Sequence, residues 1–153
     1  SNVDFLAEGT LELDVMLGWS GDINEDWSTD VGIMRYGYPN AEIDGSNFWE
    51  LYGSLSYKDL TFGLAYSDDY YANSGNFIYA YANYSYALTD SLSLDLHVGQ
   101  NEYDESSASY LDWSIGVSTE LLGAGISLSY VDTDIKDLYL ADSRVILTIS
   151  KSF

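Results

Sequence analysis

Residues 11–20 of this 153-residue chain read Leu11-Glu-Leu-Asp-Val-Met-Leu-Gly-Trp-Ser20. The odd positions carry large apolar side chains, whereas most even positions are acidic, small or polar. Successive side chains of a β-strand point to opposite faces of the sheet, so this alternation predicts a strand with one apolar and one polar face. The pattern returns at 49–57, at 92–99 and in other segments, and it predicts nine strands and no helix.

Short and long connections alternate between these predicted strands. The short ones fall at 21–26, 58–59, 89–91 and 122–123, and the long ones at 39–47, 68–76, 101–109 and 132–142. Outer-membrane barrels have short periplasmic turns and longer external loops. We therefore predict an all-β protein, an antiparallel up-and-down meander that forms an outer-membrane β-barrel. A soluble all-β domain is the alternative fold.

Composition excludes several classes of protein. The chain has 25 Asp and Glu against 5 Lys and Arg, a net charge of −20, so it cannot neutralise the phosphates of a nucleic acid. It contains no cysteine, which excludes disulfides and thiolate metal sites. No apolar run approaches the roughly 18 residues of a membrane-spanning helix. A β-stranded membrane protein remains open because its signal is alternation.

Aromatic residues are abundant, with 15 tyrosines and 4 tryptophans. Tyrosine and tryptophan favour the membrane interface because a polar tip accompanies an apolar ring. We predict one girdle near the short turns, formed by Trp19, Tyr57, Tyr86 and Phe153. A second girdle is predicted toward the long loops, formed by Tyr36, Tyr38, Tyr66, Tyr103, Tyr110 and Tyr130.

The last predicted strand ends in an alternating apolar pattern that closes on an aromatic residue. Its members are Val145, Leu147, Ile149 and Phe153. This pattern resembles the C-terminal signal that the bacterial barrel-assembly machinery recognises, and it predicts that machinery as a partner.

Several longer motifs carry a family resemblance. They are Leu11-Glu-Leu-Asp-Val15, Gly18-Trp-Ser-Gly21, Tyr110-Leu-Asp-Trp113, Ser129-Tyr-Val-Asp-Thr-Asp134 and Ala141-Asp-Ser-Arg-Val145. Through them, and over essentially its whole length, the chain resembles Gcw_chp, a proteobacterial conserved-hypothetical outer-membrane family. The resemblance implies a β-barrel in the bacterial outer membrane and no established activity.

The resemblance also implies a larger barrel. Members of the family continue upstream by two or three strands, and bacterial barrels take even strand numbers, which gives about twelve in the full protein. The whole of 1–153 then forms one barrel domain. Residues 1–9 are expected to be the tail of an upstream strand and loop, and 10–153 the nine-strand meander. Missing strands or another chain would cover the open first edge.

Charged residues on the predicted polar faces are candidates for a lumen. They are Glu12, Asp14, Asp30, Glu50, Asp95, His97, Asp112, Glu120 and Arg144. Because acids dominate, a water-filled interior would favour cations. The alternative is that these groups are hydrogen-bonded partners, packed around Arg144, that fill a narrow barrel without transport.

Two further patterns concern metal binding and catalysis. Asp132, Asp134 and Asp137 form a weak candidate site for Ca²⁺ or Mg²⁺ in an external loop, although the glycine and closing glutamate of an EF-hand are absent. The single histidine, His97, shares a predicted face with Ser93 and Asp95. Residues i and i+2 lie about 7 Å apart on a strand, and no nucleophile-elbow motif accompanies them. A histidine held by a neighbouring acid is the favoured interpretation.

The sequence thus predicts a non-enzymatic outer-membrane barrel that is either a narrow, cation-favouring pore or a structural wall. A surface protein that binds divalent cations or a partner through acidic loops is the alternative, and a barrel-embedded hydrolase is the third hypothesis. Outer-membrane lipid and lipopolysaccharide are the expected partners. No cofactor is expected beyond Ca²⁺ or Mg²⁺ at the loops.

Overall fold

The computed structural model describes residues 11–39, 41–104 and 108–151. Short 3₁₀ turns, Tyr71–Asn73 and Tyr139–Ala141, lie in two of the connections. No helix in the described ranges is long and apolar enough to cross a membrane. The strands are β1 (Leu13–Asp22), β2 (Trp27–Gly37), β3 (Phe48–Tyr57), β4 (Leu60–Ser67), β5 (Phe77–Ala87), β6 (Leu92–Tyr103), β7 (Tyr110–Leu121), β8 (Ala124–Thr133) and β9 (Arg144–Ser150).

Each strand pairs antiparallel with the next along the chain, so the nine strands form one sheet in sequence order. The predicted all-β antiparallel meander of nine strands is therefore confirmed. In the described ranges β1 and β9 each pair on one edge only, and the sheet does not close on itself. The predicted upstream tail, residues 1–9, lies outside the described residues.

The connections alternate between short and long, so all the short ones lie at one end of the strands and all the long ones at the other. We call these the turn end and the loop end. The turn end holds four connections of two to four residues, and in one of the two shortest, Leu122 and Gly123 both adopt positive φ (56° and 71°). Positive φ at both central residues is the geometry of a type I′ turn, whose twist matches that of the two strands it joins. β6 and β8 continue into the predicted long loops, as far as Tyr103 and Thr133.

The pairing register divides the strand side chains between two faces. The apolar face includes Leu13, Leu55, Leu94 and Leu147, and the polar face includes Asp30, Ser54, Asp95 and Thr148. Only three charged side chains of the strands lie on the apolar face, and all three lie within two residues of the loop end of their strand. They are Arg35, Glu102 and Asp132.

Burial in this sheet is the reverse of that in a water-soluble domain. In the described ranges the buried apolar residues are Tyr38, Phe48, Ala65 and Phe77, whereas Leu17 is 76% exposed. The accessible surface is 10629 Å², against about 7,700 Å² expected for a compact 17.0 kDa monomer. Within the described structure, the apolar face has no covering layer.

The register corrects part of the predicted loop-end girdle. Tyr66 and Tyr130 lie on the apolar face. Three others were predicted to point outward and instead lie on the polar face, because side-chain direction follows strand parity and not height along the strand. The corrected residues are Tyr36, Tyr103 and Tyr110. Tyr38 lies in the following loop and is buried.

Candidate functional site

The polar face carries most of the candidate lumen residues. Register places eight of them there: Asp14, Asp30, Glu50, Asp95, His97, Asp112, Glu120 and Arg144. Glu12 lies just before β1, where its Oε2 accepts a hydrogen bond from the Tyr38 hydroxyl at 2.7 Å. Asp95 accepts a hydrogen bond from Ser85 Oγ at 2.7 Å. Carboxylates therefore dominate the charge of this face along its whole width.

His97 is the centre of a hydrogen-bonded network across β5, β6 and β7. Its Nε2 lies 2.8 Å from Asp112 Oδ1, and its Nδ1 lies 2.6 Å from Asn83 Oδ1. The second oxygen of Asp112 accepts a hydrogen bond from Asn101 Nδ2 at 2.9 Å, and the Tyr79 hydroxyl reaches Oδ1 at 3.3 Å. The acid that holds His97 is thus Asp112 of the next strand and not Asp95 of its own.

This network leaves neither ring nitrogen of His97 directed at a serine. Within the described ranges, the hydrogen-bond partners of the ring are Asn83, Asp112 and Tyr79. A serine nucleophile requires a histidine nitrogen within hydrogen-bonding distance of its hydroxyl. The geometry therefore supports a bracing role for His97, which ties three strands together on the polar face.

Aromatic rings fill the polar face at the loop end. Tyr70, from the loop between β4 and β5, folds inward and contacts the rings of Phe48 (4.6 Å between centroids), Phe77 (4.5 Å) and Tyr103 (5.6 Å). Tyr36 stacks on Phe48 at 4.6 Å and extends the cluster. Burial raises the pKa of the Tyr70 hydroxyl because the ionised form would lose its hydration. We call these rings the loop-end cluster.

Tyrosines also lie across strand glycines on this face. A Cβ atom at Gly63 would clash with the ring of Tyr81, and one at Gly99 with the ring of Tyr79. Glycine at these positions therefore lets a large ring lie flat against the neighbouring strand.

The turn end of the polar face is open by contrast. A recess of about 950 Å³ is bordered there by β6 to β9. Its lining is rich in hydroxyl groups and carries three carboxylates, those of Asp90, Asp95 and Glu120. The hydroxyl groups include those of Ser93, Ser118, Ser127 and Thr148. The face thus changes along the strands from packed rings at the loop end to a wet, acidic surface at the turn end.

Arg144 does not gather the acids of the polar face around itself. Its Nε donates to the carbonyl of Asp142 at 3.2 Å, and its Nη2 donates to the carbonyls of Tyr139 and Leu140. Arg144, His97 and Asp112 line a common cavity of about 200 Å³. In the described ranges no carboxylate forms an ion pair with Arg144. Its role here is to hold the loop that contains the 3₁₀ turn Tyr139–Ala141.

The three acids considered for a metal site have other contacts. Asp132 lies on the apolar face, and its Oδ1 accepts from the backbone of Thr133 at 2.9 Å. Asp134 accepts from the backbone of Leu111 at 2.8 Å, and Asp137 has positive φ in the loop. Among the residues that the structure describes, no group of three or more acidic or histidine side chains is arranged to hold a metal ion.

The apolar face carries aromatic residues at both ends. Near the turn end the rings of Trp27 and Tyr57 lie 4.7 Å apart, and near the loop end those of Trp113 and Tyr130 lie 5.7 Å apart. Trp19 and Tyr86 add to the first belt, and Trp49 and Tyr66 add to the second.

The predicted assembly signal lies on the same apolar face. Val145, Leu147 and Ile149 are 64%, 63% and 67% exposed, respectively. Phe153 lies outside the described residues.

One comparison with known proteins identifies the family. A family model described as a bacterial protein of unknown function, Gcw_chp, matches residues 1–153, the whole of the chain. The chain belongs to the Gcw_chp family. The resemblance predicted from its motifs is therefore confirmed. No curated protein and no solved structure matches the chain.

In this Gcw_chp member, sequence reasoning missed the neutral partners of the site. Asn83, Asn101 and Tyr79 all share the parity of His97 or of the residue paired with it, and that parity was the available signal. Tyr70 offered no such signal because it lies in a loop without periodicity.

Proposed function

We propose that this chain forms the wall of a β-barrel in the bacterial outer membrane. Its apolar face contacts lipid, and its polar face lines the interior. One observation carries the proposal: the apolar face is exposed across all nine strands, while most carboxylates of the strands lie on the opposite face. Antiparallel membrane barrels alternate in this sense, apolar outward and polar inward.

The exposed apolar face is too large for a protein in water. The largest apolar patch on a soluble monomer covers roughly 300–600 Å². Here Leu17, Phe62 and Leu147 are each more than half exposed, on strands at both edges and near the middle of the sheet. A soluble sheet buries its apolar face under a second layer. An apolar face without such a layer requires contact with lipid.

The spacing of the two aromatic belts supports the same proposal. On β3, Trp49 and Tyr57 are eight residues apart, about 27 Å at about 3.4 Å per residue. A strand tilt of about 40° reduces this to about 21 Å along the membrane normal, close to the roughly 25 Å apolar band of outer-membrane barrels.

Closure of the barrel is part of the proposal. An unpaired strand edge cannot stand in hydrocarbon, because its backbone N–H and C=O groups would lack partners. We therefore infer that β1 and β9 pair with further strands in the membrane. The turn end then faces the periplasm and the loop end faces outward, as in other bacterial barrels.

Membrane extraction tests the proposal. The protein in cells should sediment with the outer membrane, resist washing with alkaline carbonate, and dissolve only with detergent. Release by carbonate or by osmotic shock without detergent would contradict it. A folded chain in detergent should also migrate faster on unheated gels than after boiling.

A narrow, cation-favouring pore is the second candidate, and the charges of the polar face favour it. Among the described strand residues, the polar face carries one arginine, Arg144, against at least five carboxylates. They are Asp30, Glu50, Asp95, Asp112 and Glu120. Rings of carboxylates select for cations. The loop-end cluster limits the bore of such a pore, since its rings occupy the polar face there.

Planar-bilayer recording separates the pore from the structural wall. A pore should give a reversal potential that favours K⁺ over Cl⁻ under a salt gradient. Asp95→Asn and Glu120→Gln, both in the turn-end recess, should reduce that preference, whereas Lys136→Gln in a loop should not. Insertion without conductance would leave the structural wall.

A further inference from the structure

The apolar face carries one basic side chain among the described strand residues, that of Arg35. Register places it between Val15 of β1 and Trp49 of β3, two residues before β2 ends at the loop end. The surrounding side chains of this face are apolar. A guanidinium in such surroundings is costly unless an anion or a polar interface accompanies it.

The guanidinium of Arg35 lies over the ring of Trp49, with its Cζ 5.3 Å from the ring centroid. This cation–π contact fixes one flat side of the group and leaves the N–H bonds around its edge. In the described ranges no carboxylate forms an ion pair with it, although the chain carries 25 acidic residues. Lys58, by contrast, pairs with Asp26 at 3.6 Å.

Other charges of the apolar face are too distant to neutralise Arg35. Glu102 lies on β6 and Asp132 on β8, four and six strands away. At about 4.8 Å per strand these separations are roughly 19 and 29 Å around the sheet. Both exceed the Debye length of about 8 Å at physiological salt. No carboxylate of the described strands on this face therefore lies close enough to complement Arg35, which leaves its N–H groups available to an anion from outside the chain.

We propose that Arg35 and Trp49 form a binding site for the phosphate of a lipid head group. The inference rests on the proposed membrane location, which sets this pair within the loop-end aromatic belt at head-group depth. The planar fork of arginine matches two phosphate oxygens and binds them bidentately. Trp49 holds the fork in place and packs against the acyl region below. The site selects anionic lipid in the outward-facing leaflet.

Lipid competition tests the site. The protein is reconstituted in vesicles of brominated phosphatidylcholine mixed with unbrominated phosphatidic acid, and quenching of tryptophan fluorescence gives the relative affinity for the two lipids. We expect about fivefold preference for phosphatidic acid, the effect of one basic residue at an anionic surface. Arg35→Gln should lower the preference to about one, and Arg35→Lys should keep part of it.

Lys136→Gln is the matched control, because it removes one positive charge from a loop at the same end of the sheet. This variant should keep the preference of the parent protein. Excess inorganic phosphate should not reduce the preference; full competition by it would assign the site to free phosphate and overturn the proposal.

Insertion is measured separately by protection from protease. A parent protein that does not insert contradicts the proposed function. An inserted protein whose preference is near one, or unchanged in Arg35→Gln, contradicts this inference alone. Arg35→Gln must also show parental insertion and β-sheet circular dichroism. If it does not, Arg35→Lys is compared with the parent protein instead, and a lipid preference equal to that of the parent contradicts the inference.

Discussion

Leu64→Arg is the substitution that best separates a membrane wall from a sheet in water. Leu64 is 52% exposed on the apolar face and pairs with Gly53, which lies four residues from each of the belt residues Trp49 and Tyr57. It therefore occupies the middle of the apolar band. Its neighbours in the register, Gly53 and Ala80, leave room for a longer side chain.

The expected magnitude follows from this height. Arginine on the lipid face of a barrel costs about 2–4 kcal/mol at the bilayer midplane, a change of roughly 30- to 700-fold in the folding equilibrium constant. In water, a substitution at an exposed position changes the free energy of unfolding by about 0.5 kcal/mol or less. The two environments therefore predict results that differ by at least fourfold in free energy.

Ser54→Arg is the matched control. Ser54 pairs with Gly63, the neighbour of Leu64, and so lies at the same height on the opposite face. It also pairs with Asp30, whose carboxylate would accept the new charge. An exposed ion pair contributes about 0–1 kcal/mol, so this variant should stay close to the parent protein.

Reversible folding into phosphatidylcholine vesicles, followed by tryptophan fluorescence against urea, measures both variants. Leu64→Arg should lose 2 kcal/mol or more, as estimated above for the midplane, and Ser54→Arg should be nearly neutral. A neutral Leu64→Arg with a destabilised Ser54→Arg would refute the assignment of the two faces.

Three further predictions concern the polar face and the loop end. Tyr70→Ala should destabilise the protein by roughly 2 kcal/mol, below the roughly 3–5 of a fully buried ring, and Tyr70→Phe should restore most of this in urea titrations. Burial raises the pKa of Tyr70, so its protonated hydroxyl contributes fully to the free energy of unfolding below pH 10, and this contribution is lost as the pH rises through the higher folded-state pKa. Tyrosinate absorbance and the free energy of unfolding, both measured against pH, should show this loss. The same pH response in Tyr70→Phe would refute it. Asp112→Asn should cost roughly 1–3 kcal/mol by removing the charged acceptor of three side chains, whereas Asp95→Asn, with one such partner, should cost less; equal losses on denaturation would count against the His97 network.

The strands were predictable because alternation is a local signal. From Leu13 to Ser150 every strand has a period-two pattern, and the turns at Lys58 and at Leu122-Gly123 leave little freedom in register. Strand parity alone would also have placed Tyr36 and Tyr103 on the polar face. The predicted girdle assigned them to the outward face because it used only their distance from the long loops.

The network and the loop-end cluster needed the register of the sheet. His97 contacts Asp112 only because β6 pairs with β7 so that Gly99 lies opposite Asp112. The alternation within the strands excludes only odd shifts of that register, and the length of the connecting loop selects among the even ones. Tyr70 reaches Phe48 and Phe77 through the path of an aperiodic loop, which no alternation rule describes.

The central claim is that the two faces of the sheet meet different solvents, and spin-label accessibility along β3 tests it most directly. The chain has no cysteine, so single cysteines at consecutive positions 51 to 56 can each carry one nitroxide label. In vesicles, labels replacing Leu51 and Leu55 should collide with dissolved oxygen and be shielded from a water-soluble nickel chelate. Labels replacing Ser54 and Ser56 should show the opposite ratio. If the chelate reached the labels at positions 51 and 55 as readily as those at 54 and 56, the assignment of the apolar face to lipid would be contradicted.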